Sequence, residues 1–177
     1  MAIGLKQPGL NGRKQMSSYT QEVAQSQFLT FHFAAEEYAV DILRVREIVE
    51  YDTITRVPGM PRCITGVLNL RGSVVPVVDL ALKFGFQESA ITNRTCVLIF
   101  ETILDDEPAV IGVQADSVSQ VLELGTDGIE PRPGFGTRIG VDYLIGMGKV
   151  DGRFVLILDI EKILTVDELL LANALAV

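Results

Sequence analysis

The chain has 177 residues, 48% of them apolar, with 23 acidic against 15 basic side chains and a formal charge of -8. This length suits one ordinary domain or two small lobes sharing a core, and the acidic balance argues against nucleic acid or an anionic membrane surface as partner, because phosphate binding needs a basic face. The apolar runs stop short of the roughly 20 residues of a membrane helix; Cys63 and Cys96 lie far apart inside apolar stretches, without zinc-site spacing or a signal peptide ahead of them, so a reducing cytoplasm is expected.

Residues 1–25 are rich in Gly, Gln and Ser without a hydrophobic period, and are expected to form a disordered tail ahead of a domain over 26–177. From Gln27 the alternation places Leu29, Phe31 and Phe33 on one face and Phe28, Thr30 and His32 on the other, predicting a half-buried hairpin that turns over Ala34–Glu37 and runs on through Ile42. Val45, Ile48 and Val49 are spaced for one helical turn or a bent strand, and Asp52–Pro58 reads as a loop.

Ile64–Leu80 then packs a strand, a turn, a second strand and a helix start into one stretch. Gly72 can take the positive φ of a tight hairpin turn. Asp79 is placed to cap Leu80–Phe84, and Gly85 to close that turn in the left-handed conformation. Thr95–Thr102 and Ala109–Ala115 are predicted to pair across a solvated acidic turn, with Ser117–Leu124 continuing the same sheet. Asp159 can cap Ile160–Leu164, and Thr165-Val166-Asp167-Glu168 is a capping box that predicts a C-terminal helix through Leu169, Leu170, Leu171 and Ala174.

Two stretches recur. Leu144–Ile160 lies over Ile64–Leu80, matching Gly66 with Gly146, Gly72 with Gly152 and Asp79 with Asp159. Ile111–Glu123 lies over Tyr38–Glu50 at a different offset, matching Val40 with Val113 and Val45 with Val118. The offsets differ by a loop insertion near Gly134–Val141, which costs little closure entropy. Short strands in two copies predict an all-β protein of two related lobes.

Residues in a pattern that could carry chemistry are few. His32, the sole histidine, is expected as an exposed strand residue, and neither cysteine has a polar neighbour that would lower a thiol pKa. The clusters Gly134-Phe135-Gly136 and Gly146-Met147-Gly148 lack the spacing of a phosphate loop, while Glu36-Glu37 and Asp105-Asp106 fall in turns. No catalytic, metal-binding or cofactor-binding residue is expected. What stands out is a difference between the copies: Arg71 where the second has Asp151, and Glu47 where it has Gln120. A pair specific to the first copy is one reading, solvated surface charge the other.

Gly66-x-x-Asn69-Leu70-Arg71-Gly72-x-x-x-Pro76-Val77-x-Asp79-Leu80 resembles the signature of the CheW family of bacterial chemotaxis coupling proteins. Phe28–Phe33, Tyr38-x-Val40-Asp41-Ile42, Val45-x-Glu47-Ile48, Gly112-x-x-x-Asp116-x-Val118 and Tyr143-Leu144-x-Gly146 extend the likeness, in the same order, over Gln27–Leu171. The resemblance implies two interleaved, SH3-like, five-stranded β-barrel lobes around a shared core, with short helices and a C-terminal helix. It implies a cytoplasmic adaptor without enzymatic activity or direct membrane insertion. Such an adaptor links the tips of methyl-accepting chemotaxis receptors to the regulatory domain of the chemotaxis histidine kinase, CheA, in membrane-associated arrays. It further implies a receptor-binding groove at Val45, Glu47, Gly66, Arg71, Cys96, Gly112 and Val118, and motif roles for Asn69, Leu70, Gly72, Pro76 and Asp79. Ala81 departs from the arginine that many members carry there. Open alternatives are a CheW-like domain of a larger adaptor-receiver or kinase protein, a generic peptide-binding β module, and a small hydrolase with an acidic dyad.

Overall fold

The computed structural model describes residues 25–52, 54–104, 106–134, 136–165, 167–169 and 171. Residues 1–24 of the tail expected over 1–25, Asp105, Phe135 and the end of the expected C-terminal helix lie outside the described residues. Gln25, expected at the end of the tail, instead opens the first strand opposite Gly125.

The strands are β1 (Gln25–Phe33), β2 (Glu36–Asp41), β3 (Val45–Glu50), β4 (Ile64–Leu70), β5 (Ser73–Asp79), β6 (Cys96–Leu104), β7 (Glu107–Ala115), β8 (Ser117–Gly125), β9 (Ile129–Glu130), β10 (Leu144–Val150) and β11 (Arg153–Leu158). One short helix, α1 (Leu80–Lys83), follows β5, and single 3-10 turns occur at Ile42–Arg44, Thr126–Gly128, Val141–Tyr143 and Ile160–Lys162. Sheet order is β8-β1-β2-β11-β10-β9 in one lobe and β3-β6-β7-β5-β4 in the other. The sixth strand of the first sheet is the two-residue β9, which meets β10 at Met147 and Gly148. In the second lobe its counterpart shrinks to the single bridge between Thr55 and Val67.

Three apolar clusters explain why both sheets roll up. Leu68, Val75, Val77, Val97 and Ile99, with Val49 and Val110, draw on all five strands of one sheet and fill its interior. Phe28, Ala39, Leu124, Val155 and Ile157, with Ile129 and Val150, do the same for the other. The third cluster lies between the lobes, where Phe31, Phe33, Tyr38 and Val40 meet Val78, Leu98, Phe100 and Val113, sealed by Leu80, Ile160, Ile163 and Leu169. Each fully buried side chain of this size contributes about 1.5–3 kcal/mol. From Phe28 onward β1 therefore has no wet face: Phe28 enters its barrel while Leu29 enters the shared core, so the strand expected to be half-buried is covered on both sides there. His32 is not exposed either, but partly buried, its Nδ1 3.4 Å from Ser117 Oγ.

The lobes exchange strands. After Ile42–Arg44 the chain leaves the β1–β2 sheet, and β3 pairs with β6 of the other lobe, bent by a bulge between Val45 and Glu47. After Asp116 it returns, and β8 pairs with β1. Ser117–Leu124 thus does not continue the β6–β7 sheet, as the alternation suggested, but crosses to the opposite one.

The repeat is carried down to single bonds. Parallel pairing aligns Val77 with Gly112 in one lobe and Ile157 with Ala39 in the other. Asp79 N–H donates to Cys63 O and Asp159 N–H to Tyr143 O, each at 2.8 Å. The Asp79 carboxylate accepts from Ala81 N at 2.8 Å and Leu82 N at 3.4 Å, while Asp159 accepts from Glu161 N at 3.2 Å, so both are caps. Gly85 closes α1 at φ 84. Thr165 N donates to Glu168 Oε2 at 2.9 Å and Glu168 N to Thr165 Oγ1 at 3.2 Å, the two bonds of the predicted capping box.

Candidate functional site

The two strands that frame the second lobe, β3 and β4, come together at one charged contact. Between Leu70 and Ser73 the chain turns in two residues, Arg71 at φ 50 and Gly72 at φ 86. The Arg71 side chain reaches over to β3, where Nη1 meets Glu47 Oε1 at 2.8 Å and Nη2 meets Glu47 Oε2 at 3.0 Å. The fork geometry suits guanidinium and carboxylate and is the stronger kind of charged hydrogen bond. Glu47 is 23% exposed and Arg71 71% exposed, so the pair is anchored in the wall on one side and open to solvent on the other. An ion pair this exposed contributes about 0–1 kcal/mol to folding; its chemistry is available to something that docks.

Arg71 also stands on the rim of an open depression of about 370 Å³, with Arg46, Leu70, Ser73, Val74 and Pro108 around it. Arg46 is held there by Glu101 at 3.5 Å. The result is a surface of alternating charge and small apolar side chains.

The remaining predicted residues divide in two. Val45 and Val118, matched in the repeat, are partly buried and pack on the shared core from β3 and β8; Cys96 packs there from β6, its thiol pushed up by burial. These three lie along the seam between the lobes. Gly66 and Gly112 do not join an open face. A Cβ on Gly66 would collide with the Thr55 carbonyl oxygen, and one on Gly112 would lie 2.7 Å from Val97 Cγ1 inside the barrel. Gly146 repeats the first constraint, its Cβ position 2.6 Å from Glu130 O. Gly66 and Gly146 let the backbone at Thr55 and Glu130 come close, and Gly112 makes room for Val97 inside its barrel. Of the motif residues, Pro76 and Asp79 are buried, Leu70 packs at the barrel end, and Asn69 and Gly72 are exposed at the turn.

Some charged contacts gave no sequence signal beyond residue type. Lys83, at the end of α1, is 9% exposed and meets Glu168 Oε2 at 2.7 Å. Burial would raise the Glu168 carboxyl, but the Lys83 hydrogen bond and charge, with the Thr165 bonds, hold it below the ordinary glutamate range. Arg153 meets Glu37 at 2.6 Å, and there too bonds from Arg153 and Thr30 outweigh burial and lower the carboxyl. Asp116, where β7 hands over to β8, is pushed up chiefly by burial. Among the described residues no three His, Cys, Asp or Glu side chains are grouped to hold a metal ion.

A family model described as CheW-like domain matches residues 27–168. The chain is similar to the chemotaxis protein CheW of Klebsiella aerogenes, at 38% identity over 165 residues that cover 93% of this chain and 97% of that protein. A chemotaxis protein CheW from Helicobacter pylori is 34% identical, over 80% of this chain and 82% of its own length. Among solved structures, the scaffolding protein TtCheW from Thermoanaerobacter tengcongensis superposes with a TM-score of 0.71 at 30% identity, covering 81% of this chain and 90% of that one.

Proposed function

This chain belongs to the CheW-like family, and from that premise we propose that it is a chemotaxis coupling adaptor. It binds the cytoplasmic tips of methyl-accepting chemotaxis receptors and the regulatory domain of the chemotaxis histidine kinase, and holds the two together without catalysis of its own. The observation that carries this reading is the family match over nearly all of the described residues. The Arg71–Glu47 pair beside Val45 supplies a partner surface of the chemistry such a role needs, a half-open charged fork flanked by small apolar groups. None of the described helices is long and apolar enough to cross a membrane; on this reading, recruitment to membrane arrays comes through the receptors, and the protein works from the cytoplasm.

The test is co-sedimentation of the purified chain with a receptor signalling fragment and the kinase. The expected result is a ternary complex in which each pair depends on this chain, with no transfer of phosphate from the kinase to it. Binding to neither partner, or stable phosphorylation of the chain, overturns the proposal.

A further inference from the structure

We infer that Asn69 is a positioning residue for partner recognition: its side chain holds the β4–β5 turn so that the Arg71 guanidinium stands at the Glu47 carboxylate, ready for a docking partner. The inference rests on the coupling function proposed above and deepens it. Arg71 is the first central residue of a two-residue hairpin, at φ 50. Glycine, asparagine and aspartate enter that left-handed region readily; a long side chain such as arginine is uncommon there. An arginine at such a place brings a side chain that the turn itself does not need.

The backbone around it is braced by Asn69. Asn69 Oδ1 accepts from Gly72 N–H at 2.9 Å, spanning the turn from the residue two before Arg71 to the residue just after it. With the chain fixed on both sides, the swing of the arginine side chain is narrowed to directions that reach Glu47, and both of its terminal nitrogens do so.

The repeat supplies an internal control. Lys149-Val150-Asp151-Gly152 closes the same turn, with φ 47 and 78 at its centre and Val150 paired to Arg153. Lys149 has no acceptor to offer. The hairpin therefore forms without the side-chain bond, and the bond accompanies the copy that carries the arginine. Asn69 itself is exposed. Its amide is thus dispensable for closing a hairpin and matters for where Arg71 points.

The test uses the full chain as wild type, Asn69→Ala, Asn69→Asp, Arg71→Ala and the Asn69→Ala/Arg71→Ala double variant, each titrated with a receptor signalling fragment. Asn69→Ala should lower receptor affinity about five- to tenfold, with kinase binding and thermal midpoint nearly unchanged. Asn69→Asp, which keeps the acceptor oxygen, should restore most of it, and Asn69→Ala should add nothing once Arg71 is alanine. Without any partner, the Arg71 side-chain NMR signals of Asn69→Ala should move toward those of a free arginine. Wild-type affinity in Asn69→Ala beside a clear loss in Arg71→Ala overturns the inference, as does a further loss in the double variant or no rescue by aspartate. Full affinity in Arg71→Ala would instead sink the role given to Arg71 in coupling, and the NMR signals alone then decide whether Asn69 holds the arginine.

Discussion

Lys83 and Glu168, separated by 85 residues, meet at 2.7 Å and tie the helix after β5 to the capping box of the last helical turn. Because Lys83 is almost fully covered, removing one partner leaves the other charge poorly solvated. Glu168→Gln should therefore cost about 1–3 kcal/mol in urea unfolding. The Glu168 carboxyl lies below its ordinary value in the folded state. Its contribution is then complete above the unfolded glutamate pKa of about 4.3 and is lost as pH falls through the lower folded value. The stability gap between wild type and Glu168→Gln should narrow as pH drops below about 4. A gap that stays constant down to pH 3 would show that Glu168 acts by packing alone.

The Arg71–Glu47 pair should behave differently, since most of the arginine is in solvent. Arg71→Glu and Glu47→Arg should each shift folding stability by no more than about 1 kcal/mol, yet each should strongly weaken binding of a receptor fragment. The double exchange should recover part of that loss if the two residues act as a pair. Calorimetric titration of all four proteins, with matched melting curves, reads both effects; additive losses without recovery would mean that each residue meets the receptor separately.

Val45 packs on the shared core as well as facing the seam. Val45→Lys should thus weaken receptor binding and also lower stability, by about 1–2 kcal/mol, while kinase binding of the folded fraction is kept. Loss of both partners in proportion to unfolding would reduce Val45 to a core residue.

Gly66→Ala drives a methyl group into the Thr55 carbonyl. A backbone oxygen cannot rotate away, so this change should cost about 2–3 kcal/mol. Gly72→Ala meets nothing but must sit at φ 86, and should cost about 1 kcal/mol. Chemical denaturation of the two variants orders these costs; the reverse order would relocate the tight contact from Gly66 to the turn.

How far the sequence could be read depended on whether its signal was local. Turn glycines, capping aspartates and the capping box each act within a few residues, and the repeat of Ile64–Leu80 in Leu144–Ile160 is visible for that reason. The Arg71–Glu47 pair was legible because the two copies differ there. Strand exchange was not, since β8 has the same alternation whichever sheet it joins. His32 was misplaced because β1 carries two cores, one per face, and alternation with one wet side is the wrong template for such a strand. Gly66 and Gly112 matched a motif, but a glycine does not say whether it makes room for a partner or for its own barrel. Lys83 and Glu168 are too far apart in the chain for any spacing rule to join them.

Strand β3 is tied to β2 by the three residues Ile42–Arg44 yet belongs to the other sheet, and β8 makes the return crossing. Neither half can melt alone, for each contains a strand whose covalent neighbour is anchored in the other, so the protein should unfold in one transition. Force applied at Glu47 passes along β3 and the three-residue turn Ile42–Arg44 into the opposite half. In the coupling role proposed above, such a molecule would serve as a stiff spacer, keeping the distance and angle of its two partners fixed under load.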